Sequence, residues 1–108
     1  MKKFEDSTFE QETATGISVI DFWAPWCGPC VTVGPLFEAF ANSFSEEELK
    51  QISFGKVNVD ECSETQTKFK VRSIPTFIVL KNGEEVGRHV GGQELTSNLT
   101  KLIETAKT

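Results

Sequence analysis

The run Ile17-Ser18-Val19-Ile20-Asp21-Phe22-Trp23 is β-branched or aromatic apart from one serine and one aspartate. Residues that are apolar on both alternating faces read as a central strand covered on two sides, so the chain must lay helices above and below a sheet. The remaining elements follow in that sense. Ser7-Thr8-Phe9-Glu10 has capping-box spacing and opens a short, polar helix that Gly16 can stop. From Pro29 to Phe44, the apolar residues Val33, Leu36, Phe37, Phe40 and Phe44 fall at helical spacing around an internal Pro35, a predicted kink. Glu46-Glu47-Glu48 reads as a solvated turn.

A second strand is expected over about Ile52–Val59, followed by a polar helical segment near Ser63–Phe69. Ile74–Leu80 reads as a third strand with Pro75 at its entrance. Asn82-Gly83 is a hairpin signal that returns the chain along Glu85–Val90. Leu95, Leu99, Leu102 and Ile103 mark a terminal amphipathic helix. The order is β-α-β, then a hairpin, then a helix. With 108 residues against about 150 per domain, we expect a single α/β domain over residues 1–108 with a mixed sheet.

Charge narrows the function classes. Lys and Arg number 11 against 16 Asp and Glu, a net charge of −5, and no basic cluster exists to track a phosphate backbone. Nucleic acid is therefore not an expected partner. The apolar stretches Ile17–Ala24 and Ile74–Leu80 fall far short of the roughly 20 residues of a membrane span, and no apolar segment follows Lys2-Lys3 as in an export signal. A reducing cytoplasm is the expected compartment, where three cysteines do not read as a structural disulfide framework.

The chemistry concentrates at Trp26-Cys27-Gly28-Pro29-Cys30, directly after the central strand and at the start of the long helix. The first turn of a helix offers unpaired N–H groups and a partial positive charge, which favour a thiolate at Cys27. Pro29 suits that turn because it wastes no N–H there. Cys30 is one helical turn on, where Cβ atoms are roughly 5–6 Å apart, and a small adjustment brings the pair into disulfide reach. A C-x-x-C pair is also half of a zinc site. Zinc needs four ligands, however, and only Cys62 and His89 remain to complete one, so no metal is expected.

Asp21 is the other unusual residue. Buried in so apolar a strand, its carboxyl would resist ionisation. Six residues before Cys27, it can lie beneath Cys30 and take that thiol's proton, with a water as relay. The alternative is a polar residue at a strand end facing water.

Four segments, Asp21-Phe22-Trp23-Ala24-Pro25-Trp26-Cys27-Gly28-Pro29-Cys30, Lys56-Val57-Asn58-Val59-Asp60, Ile74-Pro75-Thr76 and Lys81-Asn82-Gly83, resemble in order the thioredoxin family over nearly the whole chain. The resemblance implies the thioredoxin fold, a mixed sheet of four to five strands flanked by about four helices. It also implies a protein-disulfide reductase without cofactor, acting as a monomer and recharged by a thioredoxin reductase. Cys27 then corresponds to the attacking nucleophile and Cys30 to the resolving thiol. Gly28 and Pro29 match the dipeptide that biases the pair toward reduction. Lys56 matches the charge partner of Asp21, its alternative being an ordinary exposed lysine. Pro75 matches a cis-proline facing the disulfide, Ile74 a donor of backbone groups to an extended substrate, and Trp26 and Gly91 the rim of the substrate groove.

The sequence also departs from the family. Val31 stands where bacterial members commonly carry lysine, the N-terminal strand is reduced to about Lys2–Glu5, and Cys62 is additional. Cys62 reads as a partly buried thiol after the second long strand, or else as a regulatory or dimer-linking one; His89 reads as a solvated edge residue. Two other function classes compete. A pure docking module would not need an intact cysteine pair, and a disulfide-forming catalyst would more commonly carry histidine in place of Pro29.

Overall fold

β2 (Ile17–Trp23) is the middle strand of a five-stranded sheet in the computed structural model, which describes residues 1–108. On one side it pairs in parallel with β3 (Ile52–Asn58), which in turn carries the two-residue β1 (Lys2–Lys3). On the other side it pairs antiparallel with β4 (Thr76–Lys81), which forms a hairpin with β5 (Glu84–Val90). The parallel β2–β3 connection is made by α2 (Gly28–Asn42) and a 3₁₀ turn (Glu48–Lys50). The other helices are α1 (Phe9–Thr13), α3 (Ser63–Lys68) and α4 (Leu95–Lys107). Asn82 and Gly83 both have positive φ, 51° and 85°, as the tight turn between right-twisted strands requires.

Alternation along β2 divides the core into two layers. Ile20 and Phe22 face a cluster with Phe4, Phe9 and Phe69, which reaches α1 and α3. Ile17 and Val19 face a second cluster that joins α2 and α4 through Phe37, Phe40 and Leu99. The nine phenylalanines, with no tyrosine, fill both layers in edge-on contacts such as Phe9–Phe69 and Phe40–Phe54. Rings without a polar tip need no buried partner.

Several sequence expectations are corrected. The Ser7–Glu10 capping box does not form. Thr8 occupies the cap without a side-chain cap bond, and its hydroxyl donates instead to Glu12. The reciprocal box appears at Ser45, whose N–H donates to Glu48 Oε1 while Glu48 N–H donates to Ser45 Oγ. Those bonds, the backbone one foremost, hold the Glu48 carboxyl below its ordinary value. β4 starts at Thr76, so Ile74 and Pro75 precede the strand. Leu36, expected inside, is 46% exposed on α2, because Val33, Phe37, Phe40 and Ala41 form the covered face. His89 is half-buried rather than solvated, its Nδ1 paired with Asn98 Nδ2 on α4 at 2.9 Å.

Candidate active site

β2 ends at Trp23, and Ala24 and Pro25 carry the chain to α2. Cys27 itself is the N-cap of α2. Its extended backbone (φ −87°, ψ 106°) turns the sulfur back over the helix end, where it accepts the Cys30 N–H at 3.2 Å. Pro29 lies within the first turn, where the absent N–H costs no helical bond. Cys27 and Cys30 are joined as a disulfide, their Cα atoms 5.2 Å apart. Cys27 is 6% exposed and Cys30 2%, so Cys27 is the more accessible of the pair. An N-cap position matters chemically: a sulfur carrying negative charge is held there by an N–H and by the aligned helix dipole.

The Ile74–Pro75 peptide bond is cis, and the Ile74 carbonyl oxygen lies 3.8 Å from Cys27 Sγ. Gly91, with φ of 88°, donates its N–H to the Pro75 carbonyl at 2.9 Å. Pro75, Ile74 and Gly91 thus form one continuous backbone ledge beside the disulfide. Gly28 and Gly91 have open space where a Cβ would stand, so neither glycine is required by packing. Trp26, next to Cys27 in the chain, is 70% exposed. Its indole N–H donates to both Asp60 oxygens at 2.9 and 3.1 Å, fixing the ring although solvent surrounds it. Asp60 was not singled out from the sequence. The signal available was its place just beyond β3, whose parallel register with β2 brings the two strand ends together.

Asp21 is fully buried, and neither carboxylate oxygen has a hydrogen-bond partner within the protein. Burial pushes its carboxyl up to about 7, with the Lys56 charge acting in the opposite direction. By alternation Asp21 shares the face of Ile17 and Val19, which α2 covers through Val33, Phe37 and Phe40, whereas Cys30, on the covered side of α2 at its first turn, packs with the cluster of Ile20 and Phe22 on the other face. Lys56 is the register partner of Asp21 on β3, but no ion pair joins them. The Lys56 ammonium sits over the Trp23 ring, 4.7 Å from its centroid. A cation held there still biases the carboxylate through space.

Cys62 is distant from the pair in the chain and buried, its thiol donating to the Phe4 carbonyl at 3.5 Å. Burial foremost, then the nearby Asp6 charge, pushes the Cys62 thiol above its ordinary value. His89 and Cys62 do not converge with the pair, and no group of three or more His, Cys, Asp and Glu side chains is placed to hold a metal ion. No helix is long and apolar enough to cross a membrane.

A cysteine pair one turn apart at the positive end of a helix, beside a cis-proline ledge, is built to exchange disulfides; the fold and the pair define a thiol-disulfide oxidoreductase. Comparison with known proteins agrees. The thioredoxin family profile matches residues 1–105. The thioredoxin of Listeria monocytogenes is 44% identical over 106 residues, covering 95% of this chain and 99% of that one. That of Staphylococcus saprophyticus is 41% identical over 102 residues, covering 94% and 93%. The solved structure of Plasmodium falciparum thioredoxin superposes with a TM-score of 0.81 at 34% identity, covering 97% of this chain and 98% of that one. Malassezia sympodialis thioredoxin gives 0.80 at 35%, covering 98% and 92%. The chain belongs to the thioredoxin family. Its activity is the reduction of protein disulfides through the Cys27–Cys30 pair.

Proposed function

We propose that the whole chain acts as one monomeric, cytoplasmic thioredoxin domain whose disulfide is reduced again by a thioredoxin reductase. Cys27 thiolate attacks one sulfur of a substrate disulfide; a mixed disulfide forms and the substrate's other sulfur leaves as a thiolate. Cys30 then gives its proton to the Asp21 carboxylate through a bridging water and attacks Cys27 Sγ. The Cys27–Cys30 bond forms, the mixed disulfide breaks, and the second substrate thiolate departs. Two electrons pass from the dithiol to the substrate.

The observation that carries this reading is Cys27 as sulfur N-cap with Cys30 one turn behind it. It explains why one thiol attacks and the other resolves. An acceptor with a value of about 7 is half ionised near neutrality, which suits a group that must first take and later return a proton. Lys56 tunes that acceptor through space. Gly28 and Pro29 set the turn that keeps the pair close, while Trp26, Ile74, Pro75 and Gly91 flank an extended substrate segment. Insulin reduction driven by NADPH and thioredoxin reductase tests the reading. Wild type should turn over, and Cys27→Ser should lose all activity; activity retained by Cys27→Ser would refute it.

A further inference from the structure

Ile74 and Pro75 end a connection that begins at Phe69, the C-cap of α3, and passes through Lys70 in the left-handed region at φ 54°. Most of its hydrogen bonds are local. The Lys70 and Val71 N–H groups donate to Thr67 and Gln66 on α3, and the Gln66 amide donates to the Val71 carbonyl. The Thr76 hydroxyl donates to the Ser73 carbonyl. Phe69 and Val71 are buried, but apolar burial is non-directional and does not by itself orient the backbone. Such bonds let α3 and the connection shift together.

Two bonds tie the connection to the far edge of the sheet. At one end Gly91, just beyond β5, donates its N–H to the Pro75 carbonyl. At the other, Arg88 Nη2 on β5 donates to the Phe69 carbonyl at 2.8 Å. Arg88 is the register partner of Ile78, so it lies on the face where Ile78, Leu80 and Phe69 form one cluster. The guanidinium is itself held in plane. Its Nε and Nη2 donate to the two Glu85 carboxylate oxygens, each at 2.7 Å. A forked pair fixes direction as well as charge, and a cation suits the carbonyl end of a helix. Arg88 and Gly91 thus make β5 a strut spanning the connection from Phe69 to Pro75.

We propose that Arg88 is a positioning residue for protein substrates: its bridge from Glu85 to the Phe69 carbonyl holds the connection so that the Ile74–Pro75 ledge meets an extended substrate segment in register. The proposal rests on the ledge reading above and adds the group that keeps the ledge in place. A connection released at Phe69 leaves the ledge in place only part of the time, and apparent affinity falls by that fraction. Lysine carries the charge but lacks the fork, so it cannot serve both partners in one plane.

Wild type, Arg88→Gln, Arg88→Lys, Glu85→Gln and the remote control Lys50→Gln, which breaks the exposed Lys50–Glu47 pair, are reduced with dithiothreitol and freed of it. Each is mixed in stopped flow with insulin or with the small bis(2-hydroxyethyl) disulfide, which has no peptide backbone to lay on the ledge. Rates are taken relative to those of dithiothreitol on the same disulfides. The insulin rate should fall about threefold in both Arg88 variants and about twofold in Glu85→Gln, with small-disulfide rates and Lys50→Gln unchanged. By hydrogen exchange, the Gly91 N–H should exchange at least threefold faster in the Arg88 variants while the β2 amides keep their rates. Glu85→Gln keeps the test alive should Arg88→Gln not fold. Equal insulin rates across all proteins would overturn the proposal, as would an equal fall with both disulfides or faster exchange throughout β2. An Arg88→Lys variant matching wild type, or a Glu85→Gln variant faster than it, would overturn it by assigning the effect to charge. A wild type with no preference for insulin over the small disulfide would overturn the ledge reading itself.

Discussion

Replacing Asp21 by asparagine should stabilise the protein above neutral pH while slowing its chemistry. The carboxyl's ordinary value is 3.8 and its folded value about 7. At about 1.36 kcal/mol per pH unit this gap amounts to ~4 kcal/mol. The folded value is the higher one, so the native state holds the proton more tightly than the unfolded chain. The group's stabilising contribution is complete below pH 3.8 and is lost as pH rises through about 7. Asparagine keeps the shape without the charge, but its buried amide without a partner costs roughly 1–3 kcal/mol. The net gain at pH 8 is therefore about 1–3 kcal/mol, or roughly 4 °C in Tm for each kcal/mol. At pH 5 the gain should vanish or reverse. Guanidinium denaturation of reduced and oxidised protein at pH 5, 6, 7 and 8 measures both the gain and its slope. In stopped flow, the second exchange step, attack by Cys30, should slow far more than the first. A variant that is destabilised at pH 8, keeps the wild-type pH slope and exchanges disulfides normally would refute the argument, because Asp21 would then be neither a buried acid nor a proton acceptor.

Other substitutions probe the same site. Lys56→Met removes the charge that lowers the Asp21 carboxyl; the stability loss with rising pH, and the pH profile of the resolving step, should both move to higher pH. Reduced protein met by limiting iodoacetamide near pH 7 should be alkylated at Cys27, because its sulfur caps the positive end of α2 while the Cys62 thiol is bonded to the Phe4 carbonyl and pushed up by burial; peptide mass spectrometry finding Cys62 modified first would contradict this. Cys30→Ser should halt exchange after its first step and accumulate substrate as a mixed disulfide on Cys27, visible on non-reducing gels and released by dithiothreitol.

What the sequence disclosed and what it concealed divide along physical lines. The β2 strand, the Asn82-Gly83 hairpin and the placement of Cys27 at a helix start were legible, because each rests on neighbours within a few residues. The buried state of Asp21 could be argued from its apolar neighbours alone. Contacts fixed by strand register could not. The Trp26–Asp60 bond and the perch of Lys56 over Trp23 depend on how β2 and β3 align. Leu36 fits the helical spacing of a core residue, yet Pro29-to-Phe44 periodicity does not say which of two adjacent stripes meets the sheet. His89 alternates as an edge residue should, and only the return of α4 across β5 brings Asn98 to it.

The N-terminal segment has a mechanical consequence. Asp6 lies outside α3, yet its carboxylate accepts the Thr65 hydroxyl and the backbone N–H groups of Glu64 and Thr65, so a distant stretch of chain supplies that helix with its cap. The Thr65 hydroxyl foremost holds the Asp6 carboxyl below its ordinary value. Phe4 packs so closely on Gly55 that any side chain there would collide with its ring, and the Phe4 carbonyl takes the Cys62 thiol. Residues Phe4 to Asp6 therefore tie the N-terminal edge of the sheet to α3 and to the third cysteine. Acid, by protonating Asp6, loosens that tie. Part of the shield over Cys62 thus comes from Phe4, and an event that peels the first residues of the chain away frees the partner of a thiol some sixty positions later.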